Sequence, residues 1–421
     1  MTTLKDEVEG RPPAGEAGSD DASLSSPARL TAFRHGLGGF FVPLVTTVIA
    51  FLAGGLVVLL TGHDPLSTYS AVFNGTGLNW LFPWVAGSER ATAAFELQQT
   101  LILTTPLILV GLAVAFAFRA GLFNIGGQGQ YTVGTIVAVW IGSSFPGMPA
   151  GLHIAFAVVA AGVAGAAWAG IAGVLKATTG ANEVISTIML NWIAIWIGVY
   201  LFQLGGPLQN PTQSSVPASS TVAHSAKLPV FWGNSALQGL DVGIFIALVL
   251  AVVYGVLVNR TRLGYEVRAV GFNTEAARYA GMRVGRNYVK VMLICGMFAG
   301  VAASLDILGW KFQVFTNDIQ TSQIGFYGIA VALLGRNTAG GTVAAALLFG
   351  ALLTGTSDRN LNPQVFDPTL AQYLTYMIEG LIVLLVSTDV ITLRLIKGGR
   401  AISFARRGRR SDEPAATEDG S

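Results

Sequence analysis

Charge is scarce in this chain of 421 residues: Asp, Glu, Lys and Arg make up 11% of it, where a soluble globular domain carries roughly 25%. So few charged groups cannot coat a water-soluble fold of this size, which excludes an ordinary cytosolic enzyme and points to a bilayer. Cysteine is nearly absent, and the single Cys295, inside an apolar run, excludes an internal disulfide or a cysteine-based metal site. The four histidines, His35, His63, His153 and His224, are scattered, and no H-E-x-x-H pattern occurs, so no metal or other cofactor is expected. The phosphate-cradling pattern G-x-x-x-x-G-K-[ST] is missing too, so catalysis by this chain is not expected. A net charge of only +2 argues against a nucleic-acid partner.

Hydrophobic residues, by contrast, make up 52% of the chain, and its 52 glycines suit close helix packing in a membrane. Apolar runs of about 20 residues, the length needed to span a bilayer, predict an all-α integral membrane protein of about ten transmembrane helices with broken or re-entrant segments. The runs are 38–60, 98–119, 128–146, 150–175, 184–204, 239–258, 290–307, 323–335, 341–357 and 371–389. With both termini cytoplasmic, 21 of the 25 basic residues fall inside, seven of them between Arg260 and Lys290, the bias expected of cytoplasmic loops. Residues 1–36 read as a disordered cytoplasmic tail, 37–390 as the transmembrane domain and 391–421 as a basic tail drawn to anionic lipid. On the outside, 61–96 with Trp80, Phe82 and Trp84, and 205–238 with its prolines, serines and threonines, suit either interfacial anchoring or docking of an external partner.

Two intramembrane stretches stand out. In residues 118–134, Gly121, Gly126, Gly127 and Gly129 alternate with Asn124, Gln128 and Gln130. Such a break must be buried in protein or line a wet cavity, which makes it a candidate permeation element; a plain turn between two spans is the other reading. Further on, Asn182 suits a helix N-cap and Glu183 its first turn. Glu183, Thr187 and Asn191 are spaced i, i+4, i+8, so they form one polar stripe that can face a path. Glu379, midway along the last run, is either an intramembrane functional carboxyl or a protonated one bonded to a neighbouring helix. Asp306 and Asp318 fall nearer a membrane edge.

The loop 259–290 contains seven basic and two acidic residues. Asn273 can cap a short helix there, Glu275 suits its first turn and Gly281 can end it. Ala276, Ala277 and Ala280 would give that helix a small-residue face for another protein; a basic loop held by lipid phosphates is the alternative.

Four segments together resemble the permease subunits of bacterial ATP-binding-cassette importers for nucleosides and ribose-like sugars: GLFNIGGQGQ at 121–130, GANEVISTIMLNWIA at 180–194, GYEVRAVGFNTEAARYAGM at 264–282 and GFYGIAVALLGRNTAGG at 325–341. The resemblance is greatest to the longer permease of the nucleoside branch. It implies a plasma-membrane transport subunit that is not itself an enzyme. Its partners would be a separate ATPase, a second permease subunit and an extracytoplasmic binding lipoprotein. It implies that the loop containing Gly264, Arg268, Gly271, Asn273, Ala276, Ala277 and Gly281 docks on the ATPase. It also implies that Asn124, Gln128, Asn182, Glu183 and Asn191 lie along or beside the translocation path, to which Gln130 and Thr187 are added from the break and the stripe. The long N-terminal tail and Glu379, where a neutral polar residue is expected, depart from the pattern. The expectation is ATP-driven import of nucleosides, with ribose-like sugars as an alternative solute. The competing classes are a proton-coupled carrier using Glu183 and Glu379, and a passive pore.

Overall fold

The computed structural model describes residues 25–234, 239–357 and 367–387, with side chains in the first helix from Pro43 onward. The predicted tail up to residue 24, the basic tail 391–421 and Arg359 lie outside the described residues. The described chain is mostly helical, and each predicted apolar run contains a helix. Among the described residues, six helices are long and apolar enough to cross a membrane: α1 (Ser25–Leu60, from Pro43), α3 (Gly87–Arg119), α5 (Ala150–Thr179), α6 (Glu183–Phe202), α7 (Gly243–Arg260) and α10 (Val284–Asp306, extended by a π turn to Lys311). The other predicted runs form shorter or more polar helices: α4 (Gly127–Ser144), α12 (Ile324–Leu334), α13 (Ala339–Gly355) and α14 (Pro368–Ser387). Helix α1 starts at Ser25, inside the segment read as a tail.

Helix α3 is the axis of the bundle, with α7, α10, α12 and α13 packed around it. Its residues from Leu107 to Ala117 are all buried, so this segment is apolar all round rather than amphipathic. Small residues set the closest contacts. Gly296 and Gly300 of α10 lie against the backbone of Ala161, Gly162 and Gly165 of α5, where any side chain would collide. Without a hydrophobic drive between helices in lipid, such backbone contact is what holds them. Cys295, fully buried beside these glycines, is reduced and faces the core.

Shorter elements close the two ends. At one end α2 (Pro65–Gly75) is capped by Asp64, which accepts from the amides of Leu66 and Ser67. A hairpin of β1 (Val230–Trp232) and β2 (Leu240–Asp241) brings Trp232 onto Trp80, ring centroids 5.2 Å apart. The two long segments predicted to lie outside therefore fold against each other. This end also holds α11 (Thr316–Thr321). At the opposite end lie α8 (Arg262–Phe272) and α9 (Thr274–Tyr279), which together form the basic loop.

Candidate functional site: the intramembrane break and its loop

The glycine-rich stretch forms a true break. Helix α3 ends at Arg119, and α4 does not start until Gly127. Gly127 packs on Val110, nine residues before the end of α3, which is about 13 Å along the helix axis. The intervening chain therefore re-enters the apolar layer, and its backbone groups need partners. Asn124 and Gln130 form a reciprocal side-chain amide pair within it: Asn124 Nδ2 donates to Gln130 Oε1 at 3.2 Å, and Gln130 Nε2 to Asn124 Oδ1 at 3.1 Å. Asn124 Oδ1 also accepts from the Gly126 amide at 2.9 Å.

Asn191, on α6, holds the same segment from the side. Its Oδ1 accepts from the Gly129 amide at 2.8 Å, and its Nδ2 donates to the Ile125 carbonyl at 2.9 Å. The space is tight enough that a Cβ on Gly129 would collide with Asn191. From the second half of the chain, the Gly325 amide at the start of α12 donates to Gln128 Oε1 at 2.9 Å. The break after α3 thus meets the start of α12, just after the short gap between α11 and α12. Gln128 Nε2 is buried there with no hydrogen-bond partner among the described residues.

The polar stripe on α6 divides by role. Asn182 is the N-cap, accepting from the amides of Val184 and Ile185. Glu183 pairs with Lys176 of α5 at 2.8 Å. Thr187, buried, donates back to the Glu183 carbonyl at 2.7 Å. Asn191 hydrogen-bonds across to the backbone of the break, and the Thr187 side chain packs against Gly126 of the same segment. Asn124, Gln128 and Gln130 are all buried, so in this conformation they form a closed clasp rather than an open lining.

The basic loop is joined to that clasp by backbone. Gly271, near the end of α8, lies against Arg119, Ala120 and Gly121 so closely that a Cβ would collide with their main chain. Gly121 itself has φ +71, the left-handed region that suits glycine. Arg119 in turn donates from Nε and Nη2 to the Asn337 carbonyl, at 3.1 and 3.0 Å, between α12 and α13. Gly264 makes the α7–α8 turn, its Cα facing the carbonyls of Leu257 and Val258. Gly264 and Gly271 therefore face the bundle, away from any partner at the loop's surface.

Helix α9 presents the outer surface of the loop. Asn273 caps it, accepting from the Ala276 amide at 3.0 Å, and Gly281 ends it at φ +80. Ala276 and Ala280 are exposed, as is Arg268, whose Nε reaches back to the Gly264 carbonyl. Ala277 is buried against Val270, Val284 and Met282, so the expected three-alanine face is reduced to two. Sequence reasoning missed the largest exposed groups: Phe272 and Tyr279, at 95% and 92% exposure, flank α9. Bulky aromatics so placed mark interaction surfaces.

A second polar cluster, at the opposite end, was not legible as such. Asp306 is buried and accepts from the Tyr131 hydroxyl and from Trp310 Nε1, the latter at 2.6 Å, while Lys311 pairs with it at 2.6 Å. Nearby, Asp241 Oδ1 accepts from the Gly243 amide at 2.7 Å at the start of α7. Burial pushes the Asp241 carboxyl up to about 6, with the negative Asp306 adding to the rise and the Gly243 amide opposing it. Glu379, on α14, is 5% exposed, and its Oε1 has no partner among the described residues.

An apolar bundle around a buried helix, with a broken segment held by amides inside it and a basic loop at one end, defines a polytopic helical membrane protein. The family described as branched-chain amino acid transport system / permease component matches residues 97–387, and the chain belongs to it. It is a multi-pass protein of the plasma membrane. It is 40% identical to the guanosine ABC transporter permease protein NupP of Bacillus subtilis, over 76% of this chain and 86% of that one. To the nucleoside ABC transporter permease protein NupB of Lactococcus lactis it is 31% identical, over 89% and 98%. The glucose ABC transporter permease protein TsgB13 of Haloferax volcanii is 34% identical, over 90% and 93%. The same two bacteria each supply a further permease protein that matches more distantly, NupQ and NupC. No solved structure matches the chain.

Proposed function

We propose that this chain is the permease subunit of an ATP-driven importer of nucleosides, working with separate ATPase subunits, a second permease and an extracytoplasmic binding lipoprotein. Ten segments cross the membrane, α1, α3 to α7, α10 and α12 to α14, with both termini cytoplasmic. The solute assignment draws on the guanosine and nucleoside permeases among the relatives. The amide-lined clasp is compatible with it, because Asn and Gln both donate and accept and so suit a neutral solute rich in hydroxyls and ring nitrogens.

The observation that carries the transport mechanism is the Gly271 contact with Arg119–Gly121. An ATPase seated on α9, Phe272 and Tyr279 would move α8, and a backbone contact with no side chain between transmits that movement without slack. The segment it presses on runs directly into Asn124 and the clasp. Closure of the ATPases would shift the 120–126 segment, break the amide pairing, and expose Asn124, Gln128, Gln130, Thr187 and Asn191 to solute, with Asn182 and Glu183 at the mouth of the path. Vesicles containing all partner chains should accumulate labelled guanosine only when ATP is supplied. Uptake of equal rate without ATP would sink the proposal.

The glucose permease among the relatives favours one other solute class, simple sugars, and competition of glucose or ribose against guanosine uptake separates them. The unpartnered Oε1 of Glu379 favours a second mechanism, proton-coupled transport. The purified chain alone would then take up guanosine under a pH gradient, whereas the ABC reading requires it to be inert.

A further inference from the structure

A cleft of about 360 Å³ opens between α8 and the first turns of α10, with Arg262, Arg283, Arg286, Lys290, Tyr265 and Asn287 in its walls. Its charge is unbalanced. Arg262 pairs with Glu266 at 3.3 Å, but Arg283, Arg286 and Lys290 form no ion pair among the described residues. The first turn of α10 forms one wall, and its N-cap, Arg283, supplies no side-chain acceptor. The leading amides of a 23-residue helix therefore add their partial positive charge to the same space. Within the cleft, Asn287 is 3% exposed, and its Oδ1 has no hydrogen-bond partner among the described residues. A buried amide left unsatisfied costs free energy unless something bonds to it, and by rotating it can present either its NH2 or its carbonyl oxygen.

Position decides the ligand. Helices α7 and α10 are both long apolar spans, and α8 follows α7 after one residue, so the cleft lies where the two spans leave the apolar layer. That is the level of lipid headgroups, and basic pockets between spans at this level suit anionic heads. We infer that this cleft binds the phosphate of an anionic lipid, with Arg283, Arg286 and Lys290 around the phosphate and Asn287 bonded to the headgroup. A choline head would bring its own cation against the three basic groups. An occupied cleft braces α8 against α10, so lipid would stiffen the same helix that presents Gly271 to the break.

The test is native mass spectrometry of the full-length chain in neutral detergent, with equal additions of phosphatidylglycerol and phosphatidylcholine. One phosphatidylglycerol should be retained with a preference of about ten-fold, equivalent to about 1.4 kcal/mol. Replacing the three exposed cations together, Arg283→Gln, Arg286→Gln and Lys290→Gln, should abolish the preference. Asn287→Leu leaves every charge in place; a built site predicts a severalfold loss, whereas a bare basic surface predicts none. Asn287→Asp, nearly the same shape, should weaken retention further and guards against misfolding of the leucine variant. Equal retention of both lipids by the unaltered chain, or a preference untouched by either set of changes, overturns the proposal. Displacement of phosphatidylglycerol by inorganic phosphate would assign the cleft to a soluble anion and overturn the lipid assignment. The readout needs no transport, so it is decided separately from the importer reading.

Discussion

Asn191 satisfies a backbone donor and a backbone acceptor of the break at once, through Gly129 and Ile125. Asn191→Leu leaves both buried groups without a partner, at about 1–3 kcal/mol each. The thermal midpoint of the purified chain should fall by several degrees. Thr187→Val removes only a bond to the helix's own backbone and should change the midpoint little. Glu183→Gln weakens one partly exposed ion pair with Lys176, a change worth about 1 kcal/mol or less. If all three variants melt alike, the clasp does not hold the break. The difference arises because equal spacing on α6 places these residues on one face, but Asn191 exchanges two hydrogen bonds with the interrupted backbone while Thr187 meets Gly126 through carbon and keeps its hydroxyl on its own helix.

At the scale of elements, the prediction concerns α8. A methyl group at Gly271 has no room beside Arg119 and Ala120, so Gly271→Ala must push α8 away from the break. The assembled complex should keep its basal ATP hydrolysis and lose the stimulation by solute together with uptake, which paired hydrolysis and flux assays measure. Ala280→Arg, on the exposed side of α9, should instead weaken ATPase association, read by co-purification. Both helices of the loop were partly legible in the sequence: Asn273 and Gly281 mark the ends of α9 by capping chemistry, which acts locally. The pairing of Gly271 with Gly121 was not, because contacts between residues 150 positions apart leave no trace in local spacing, and the inward turn of Ala277 was not, because three alanines in one short helix do not show which of them meets Val270 and Val284. The break was legible for the opposite reason. Glycines and amides inside an apolar run force a reader to ask where the backbone bonds go, although Gly325 as the partner of Gln128 could not be read from either segment alone. The π turn after α10 and the Asp306 cluster were likewise invisible, since each acid or aromatic there is unremarkable until the fold assembles them.

For the whole molecule, the two ends are held differently: one by backbone packing through Gly271 and Arg119, the other by buried charge around Asp306 and Asp241. The second should make stability depend on pH. In the folded chain Asp241 titrates near 6 rather than 3.8, so between these values the folded state binds more protons than the unfolded state. Stability therefore falls as pH rises from about 4 to about 6 and is level above, with an upper limit of about 3 kcal/mol. The thermal midpoint in detergent, followed over this range, should drop with rising pH. Asp241→Asn keeps the acceptor for Gly243 and should remove that share of the slope; an unchanged slope would show that the carboxyl is not the cause.

Cys295 lies beside Asn124 in the core of the bundle and is fully buried. It is also the only thiol in the chain. A maleimide dye can therefore reach sulfur only when the clasp parts, so its reaction rate is a stopwatch on gating that requires no engineered label. Comparing that rate with nucleotide absent, bound and hydrolysed would time the opening of the route against the ATPase cycle in the unaltered protein.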